Sequence, residues 1–155
     1  MRKTIKIKNY VGIFEEYEAH EEIRPGMLIE LRSDGKVQKH GTEGGKVLPM
    51  FAVEDELQGN GIDDVYNADD QVQVWVPSRG DIVYGILKDD ENVDVGDWLV
   101  SDGNGELQEA TTFASYASFG DLEPGRVGQV VEAVDLSDSS GEWSDSRRRV
   151  KIRIY

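Results

Sequence analysis

The chain contains no cysteine in its 155 residues, which excludes disulfides, thiolate metal sites and thiol nucleophiles together. Histidine is nearly absent: His20 and His40 are the only two, both stand among charged neighbours, and both read as exposed surface residues. A serine nucleophile needs such a base held beside it, and no Gly-x-Ser-x-Gly elbow occurs. Gly59-Asn60-Gly61 lacks the following Lys-Ser/Thr of a phosphate loop. No stretch approaches the ~18–20 consecutive apolar residues of a membrane-spanning helix. Met1-Arg2-Lys3-Thr4-Ile5-Lys6 holds no apolar run of the kind a secretory signal carries. Neither a membrane nor an exported precursor is expected.

Bases are scarce as well, with 17 Lys and Arg against 31 Asp and Glu, for a net charge of −14. Their distribution matters more than their sum. Residues 1–8 carry Arg2, Lys3, Lys6 and Lys8 and no acid, while residues 147–155 carry Arg147, Arg148, Arg149, Lys151 and Arg153 and no acid. The middle keeps 8 bases against 31 acids, a local charge of −23. Such a body repels phosphate over most approaches, so nucleic acid is not an expected partner. The basic ends read as two strands with solvated outer faces, or as segments that dock on an acidic surface.

What is present is strand chemistry. Thr4-Ile5-Lys6-Ile7-Lys8, Gln71-Val72-Gln73-Val74-Trp75-Val76 and Arg149-Val150-Lys151-Ile152-Arg153-Ile154-Tyr155 alternate polar and apolar at period two. Ile82 to Leu87 is apolar on both faces and reads as a more buried strand, and Val127 to Leu136 is a further β-branched run. Between them lie Pro25-Gly26, Ser33-Asp34-Gly35, Gly44-Gly45, Ser101-Asp102-Gly103 and Pro124-Gly125, all turn formers. Phe14 to Ile23 alone has a helical spacing (Phe14, Tyr17, Glu21), and reads as an irregular arm or one helical turn. Ser137 to Ser146 is a polar loop expected to join the Val127 strand to the last strand as a long hairpin.

A weak internal repeat runs through the chain. Pro25-Gly26-Met27-Leu28-Ile29 leads to Ser33-Asp34-Gly35, and Val95-Gly96-Asp97-Trp98-Leu99 leads to Ser101-Asp102-Gly103. The leading glycines are 70 positions apart and the turns 68. Each copy predicts a turn, a short strand, an Asp-Gly hairpin and a return strand. Two related hairpins suggest two halves of a closed sheet, whose closure hides edge strands.

Carboxylate pairs such as Asp63-Asp64, Asp69-Asp70 and Asp89-Asp90-Glu91 sit beside turns, where they point into water rather than into an acid–base cleft. Calcium loops fail on spacing. Counted from Asp89, the sixth and twelfth positions are Asp94 and Val100; from Asp102 they are Leu107 and Phe113, where Gly and Glu are required. Arg79-Gly80-Asp81 spells a receptor-read tripeptide but lies between two strong strands, where a tight hairpin places Gly anyway. Trp143, alone in a Ser/Asp/Gly loop, either folds back on its own body or meets a partner.

The expected fold is all-β: a small β-barrel or β-tulip-like single domain built of hairpins, with an extended N-terminal arm and little helix. Its segments are the arm (1–22), the β core (23–136), a loop (137–147) and a final strand (148–155). The first strand is expected to pair with residues 149–155 of the same body, with β-augmentation of a neighbour as the alternative.

The motifs Ile23-Arg24-Pro25-Gly26-Met27-Leu28-Ile29-Glu30-Leu31, Ala52-Val53-Glu54-Asp55-Glu56-Leu57-Gln58-Gly59, Gly61-Ile62-Asp63-Asp64-Val65-Tyr66, Gly80-Asp81-Ile82-Val83-Tyr84, Gly96-Asp97-Trp98-Leu99-Val100-Ser101-Asp102-Gly103 and Val127-Gly128-Gln129-Val130-Val131-Glu132-Ala133-Val134 occur in that order. In this the chain resembles the small head-decoration (capsid cement) proteins of tailed phages and related viruses, over roughly residues 20–136. The resemblance implies a β-rich structural protein without enzymatic activity or cofactor. It implies a protein made in the host cytoplasm that binds the outer surface of an expanded head and clamps neighbouring major capsid subunits as a homotrimer. Contact candidates are Ile5, Ile7, Phe14, Tyr17, Trp143, Arg147, Arg148 and Arg149. Two other classes stay open: a receptor- or glycan-binding module using Trp143 and the Arg79 turn, and a small oligomeric β-barrel enzyme.

Overall fold

The computed structural model describes residues 3–9, 12–110, 125–143 and 146–155. Arg2 and Pro124, each part of a feature named above, lie outside them. Among the described residues the chain is built of short strands: β1 (Lys6–Lys8), β2 (Ile13–Glu18), β3 (Ile29–Leu31), β4 (Val37–Lys39), β5 (Phe51–Val53), β6 (Gln71–Val76), β7 (Ile82–Ile86), β8 (Asn92–Val93), β9 (Trp98–Ser101), β10 (Leu107–Glu109), β11 (Arg126–Val130), β12 (Val134–Asp135) and β13 (Arg149–Ile154). A six-stranded sheet has the order β1-β7-β13-β11-β9-β10 and a three-stranded sheet the order β2-β6-β5; β3-β4 and β12-β8 form two ladders of two strands.

Period-two patterning explains how these sheets share two cores. In β6, Val74 and Trp75 point to opposite faces, as successive residues of a strand must. Trp75 joins Phe51, Leu28, Val83, Leu99, Leu107 and Ile152 in one apolar cluster. Val74 joins Ala52, Ile29, Val37, Met50 and Ile86 in the other. The three-stranded sheet therefore divides the interior, and its central strand β6 is covered on both sides. In β13 the alternation is one-sided: Val150, Ile152 and Ile154 are buried while Arg153 is exposed.

The repeat is real in three dimensions. The hairpins β3-β4 and β9-β10 are both antiparallel. Each is entered through a turn closed by a 3.1 Å hydrogen bond, Met27 N–H to the Arg24 carbonyl in one and Asp97 N–H to the Asp94 carbonyl in the other. In both hairpin turns the aspartate side chain accepts a backbone N–H two residues on, from Lys36 to Asp34 and from Asn104 to Asp102. The tip of the second hairpin then docks on the first, through Leu28 N–H to the Gly105 carbonyl and Gly105 N–H to the His40 carbonyl.

Five expectations are corrected. The six-stranded sheet does not close into a barrel. Its edge strand β10 returns to the end of β7 through one parallel bridge, Leu87 to Leu107, because the two short strands meet only at their ends. The segment after Gly12 is a strand, not a helical turn: β2 pairs with β6 along its whole length, and that ladder outweighs the helical spacing of Phe14 and Tyr17. β1 pairs with β7 rather than with β13, whose two edges are already taken by β7 and β11. The Val127–Leu136 run breaks after Val130 into two strands of different sheets. Residues 77–81 carry the chain from one sheet to another instead of closing a hairpin. The long connection from β11 to β13 does join antiparallel neighbours, as expected.

Candidate functional site: the N-terminal arm surface

The arm is fastened from beneath at both ends. Glu54, 5% exposed, accepts hydrogen bonds from the Thr4 hydroxyl and, at 3.2 Å, from Ile5 N–H, so Ile5 is driven fully into the core. At the other end of the arm Lys36 bridges Glu18 at 2.9 Å and Asp69 at 2.8 Å, and Ala19 bridges to Val37. Those two carboxylates hold the Lys36 ammonium well above its ordinary range and Lys36 in turn lowers Asp69.

Between these anchors the outer surface is open. β2 is the edge of its sheet, with Ile13 59% and Phe14 51% exposed, and Ile7 of β1, also an edge strand, is 41% exposed. The Phe14 ring stacks on Trp75 at 6.5 Å and 9° between planes, and Lys6 Nζ lies 4.9 Å from its centroid. Gly12 makes room for this: a Cβ there would sit 2.1 Å from Trp75 Nε1. Tyr17 donates its hydroxyl to Glu15, and that bond raises the phenol's pKa. Among the described residues the arrangement offers a strand edge without a ladder partner, with apolar side chains and lysines nearby, a combination that suits strand addition by a partner.

The remaining candidates separate into another region. Trp143 folds back on its own body: Arg24 and Arg148 lie over its ring at 4.3 and 4.1 Å. Arg148 is 6% exposed, bonds Glu106, and donates to the Gly141 carbonyl at 3.0 Å. Arg149 is buried against the Pro25 carbonyl and donates to the Ile62 carbonyl at 2.8 Å. Burial lowers its guanidinium pKa to about 10. Ile5, Arg148 and Arg149 are thus committed to the interior and are corrected as contact residues, since a buried side chain reaches no second molecule without unfolding. Arg147 remains on the surface, paired with Asp138 at 2.9 Å.

His20 is exposed as expected, but His40 is not. It is 2% exposed, with Nδ1 2.8 Å from the Ser101 hydroxyl and Nε2 3.1 Å from the Lys46 carbonyl. A carbonyl only accepts, so Nε2 carries a proton, and in the neutral ring Nδ1 then accepts from Ser101. The imidazole ties the two repeated hairpins together. The turn carboxylates have a structural use too: Asp64, Asp70, Asp81 and Asp97 each accept the N–H three residues back, from Gly61, Asn67, Ser78 and Asp94. Asp81 is 3% exposed, so the Arg79-Gly80-Asp81 turn cannot present its carboxylate to a receptor. Among the described residues no group of three or more acids and histidines gathers as a metal cage.

Sequence reasoning missed Ile13, the most exposed apolar residue among the described residues of the arm, although Gly12-Ile13-Phe14 lies within the arm it singled out. It also missed Arg24, the second half of the Trp143 sandwich, for which the sequence holds no signal.

Compared by fold, the chain is similar to the head fiber gp8.5 N base of bacteriophage phi29, with a TM-score of 0.56 and 14% sequence identity over 94% of this chain and 95% of that one. At that identity the likeness establishes a shared fold. No protein-family model matches the chain, and no curated protein matches its sequence.

Proposed function

We propose that this chain is a structural protein of a phage-type virion. It seats on the outer surface of the assembled head and clamps neighbouring major capsid subunits, three copies together, without catalytic turnover or cofactor. The observation that carries this reading is the end-to-end likeness in fold to a protein named for a phage head fiber. The resemblance of its turns and strands to capsid cement proteins points the same way. A clamp of this kind stabilises a shell by binding only its assembled form, and many identical copies make modest contacts large in sum. The arm supplies the contact: β2 adds its free edge to a strand of the shell, with Ile13 and Phe14 as apolar anchors and Lys6 and Lys8 toward acidic capsid surface. The −23 middle faces solvent and keeps crowded copies apart.

The experiment is to mix the purified protein with capsids of the encoding phage that lack it, sediment them, and count bound copies per major capsid subunit. Saturation at a simple ratio, with expanded shells preferred over unexpanded ones, is the expected result. Absence of binding at every salt concentration overturns the reading.

A further inference from the structure

On the outer face of the six-stranded sheet, Trp98 of β9, Gln129 of β11 and Arg153 of β13 stand in one cross-strand row. Tyr155, 55% exposed, meets Trp98 edge to face at 5.4 Å. Arg79 lies over the Tyr155 ring at 5.1 Å and Arg126 over the Trp98 ring at 5.4 Å. Arg153 donates to the Gly80 carbonyl at 3.2 Å. Arg79, Arg153 and both aromatic rings line a shallow open pocket of about 190 Å³.

The charge of this patch contradicts its surroundings. The chain has nearly two acids for each base, and several other surface cations find them: Arg32 pairs with Asp34, Lys36 with Glu18 and Asp69, Arg147 with Asp138, Lys151 with Glu132. Among the described residues Arg79, Arg126 and Arg153 pair with no carboxylate, although they gather in one place. Attraction to the rings restrains two of the guanidiniums, which lowers the entropy lost when their edges bind. A guanidinium edge is a planar fork that matches a carboxylate.

We infer that this patch is a docking site for an acidic segment of a protein partner, whose side-chain carboxylates take the edges of Arg79, Arg126 and Arg153. A sugar would need open ring faces, and guanidiniums cover them. A stiff duplex would lay phosphates against the acidic body on either side of the patch, whereas a short flexible peptide can set its carboxylates on the patch alone. The site adjoins the arm, since Lys8 pairs with Ile82 and Ile82 with Arg153, but its test does not depend on the capsid reading.

The test is calorimetric titration of the full chain with a hexaglutamate peptide, against hexaglutamine, duplex DNA and oligogalacturonate. The expected result is binding of hexaglutamate alone, weakening as salt rises from about 50 to 500 mM. It should fall at least ~10-fold in R79A/R153A and by less in R79K/R153K, which keeps charge and loses the fork. Circular dichroism verifies that both variants fold. Equal binding of hexaglutamine, no binding of hexaglutamate, preference for the DNA or the sugar acid, or indifference to R79A/R153A overturns the inference. No capsid enters the assay, so its outcome is independent of whether the protein decorates one.

Discussion

Gly26 and Gly96, seventy positions apart, share a backbone φ of +96°. Each is the third residue of the turn that opens one of the two repeated hairpins, and side chains rarely adopt that conformation. Their surroundings differ. A Cβ on Gly96 meets only Gln129 Nε2 at 3.9 Å, while one on Gly26 would lie 2.2 Å from Arg149 Nη1 and 3.1 Å from the Tyr84 carbonyl. Gly96→Ala should therefore cost only the conformational penalty, about 1–2 kcal/mol. Gly26→Ala adds displacement of a buried arginine and should cost more than about 3 kcal/mol. Urea midpoints measured on both variants check the order; equal losses would refute it.

That pair also marks what the sequence could and could not reveal. β6 is legible to the residue at Gln71–Val76, because strict alternation and flanking turns leave no other reading. Both hairpins follow from turn chemistry, which is local. Burial of charge is not local. Arg148 and Arg149 look like any basic strand end until the Pro25 and Ile62 carbonyls and Glu106, far off in the chain, are brought around them. His40 is hidden for the same reason, its partners Ser101 and Lys46 being supplied by the docking of one hairpin on the other. The exposed edge of β2 was half visible: its aromatic residues were evident, but whether β6 had room for a neighbour was not.

Trp143 should report on the loop it ends. Two guanidiniums hold its ring, each contact contributing about 0.5–2 kcal/mol. Trp143→Ala should lower stability by about 1–3 kcal/mol, and the loop before Arg147 should become a preferred site of limited proteolysis. Trp143→Phe should recover part of both effects. A loop cut equally fast in wild type and Trp143→Ala would show that the sandwich does not fasten it.

Glu106 gives the protein a pH dependence opposite to the usual carboxylate pattern. Burial pushes its carboxyl from the ordinary 4.5 up to about 7, against the pull of Arg148. The folded state thus holds this proton more tightly than the unfolded chain does. Its contribution to stability is complete below 4.5 and is lost as pH rises through about 7. Glu106→Gln keeps a group that accepts from Arg148 and does not titrate. The urea midpoint of the wild type should fall more steeply between about pH 5 and pH 8 than that of the variant. Parallel profiles would mean that Glu106 is ionised in the fold throughout.

The arm separates binding from folding more cleanly than any other part of the molecule. Ile13 and Phe14 are more than half exposed, and the contact that Phe14 makes inward is a single stack on Trp75. Removing both apolar groups should cost at most about 1–2 kcal/mol of stability. If they anchor the chain to a shell, the same change removes the centre of the contact, where binding energy concentrates. Ile13→Ser/Phe14→Ser should therefore weaken sedimentation with capsids at least ~10-fold while circular dichroism and the urea midpoint move little. Leu57→Ser is the matched comparison, because Leu57 is 97% exposed in the Glu56–Gln58 turn, outside β1 and β2, and should leave binding unchanged. A double arm variant that binds as wild type does would move the contact off this surface, since no hydrophobic anchor would then remain on the free edge of β2.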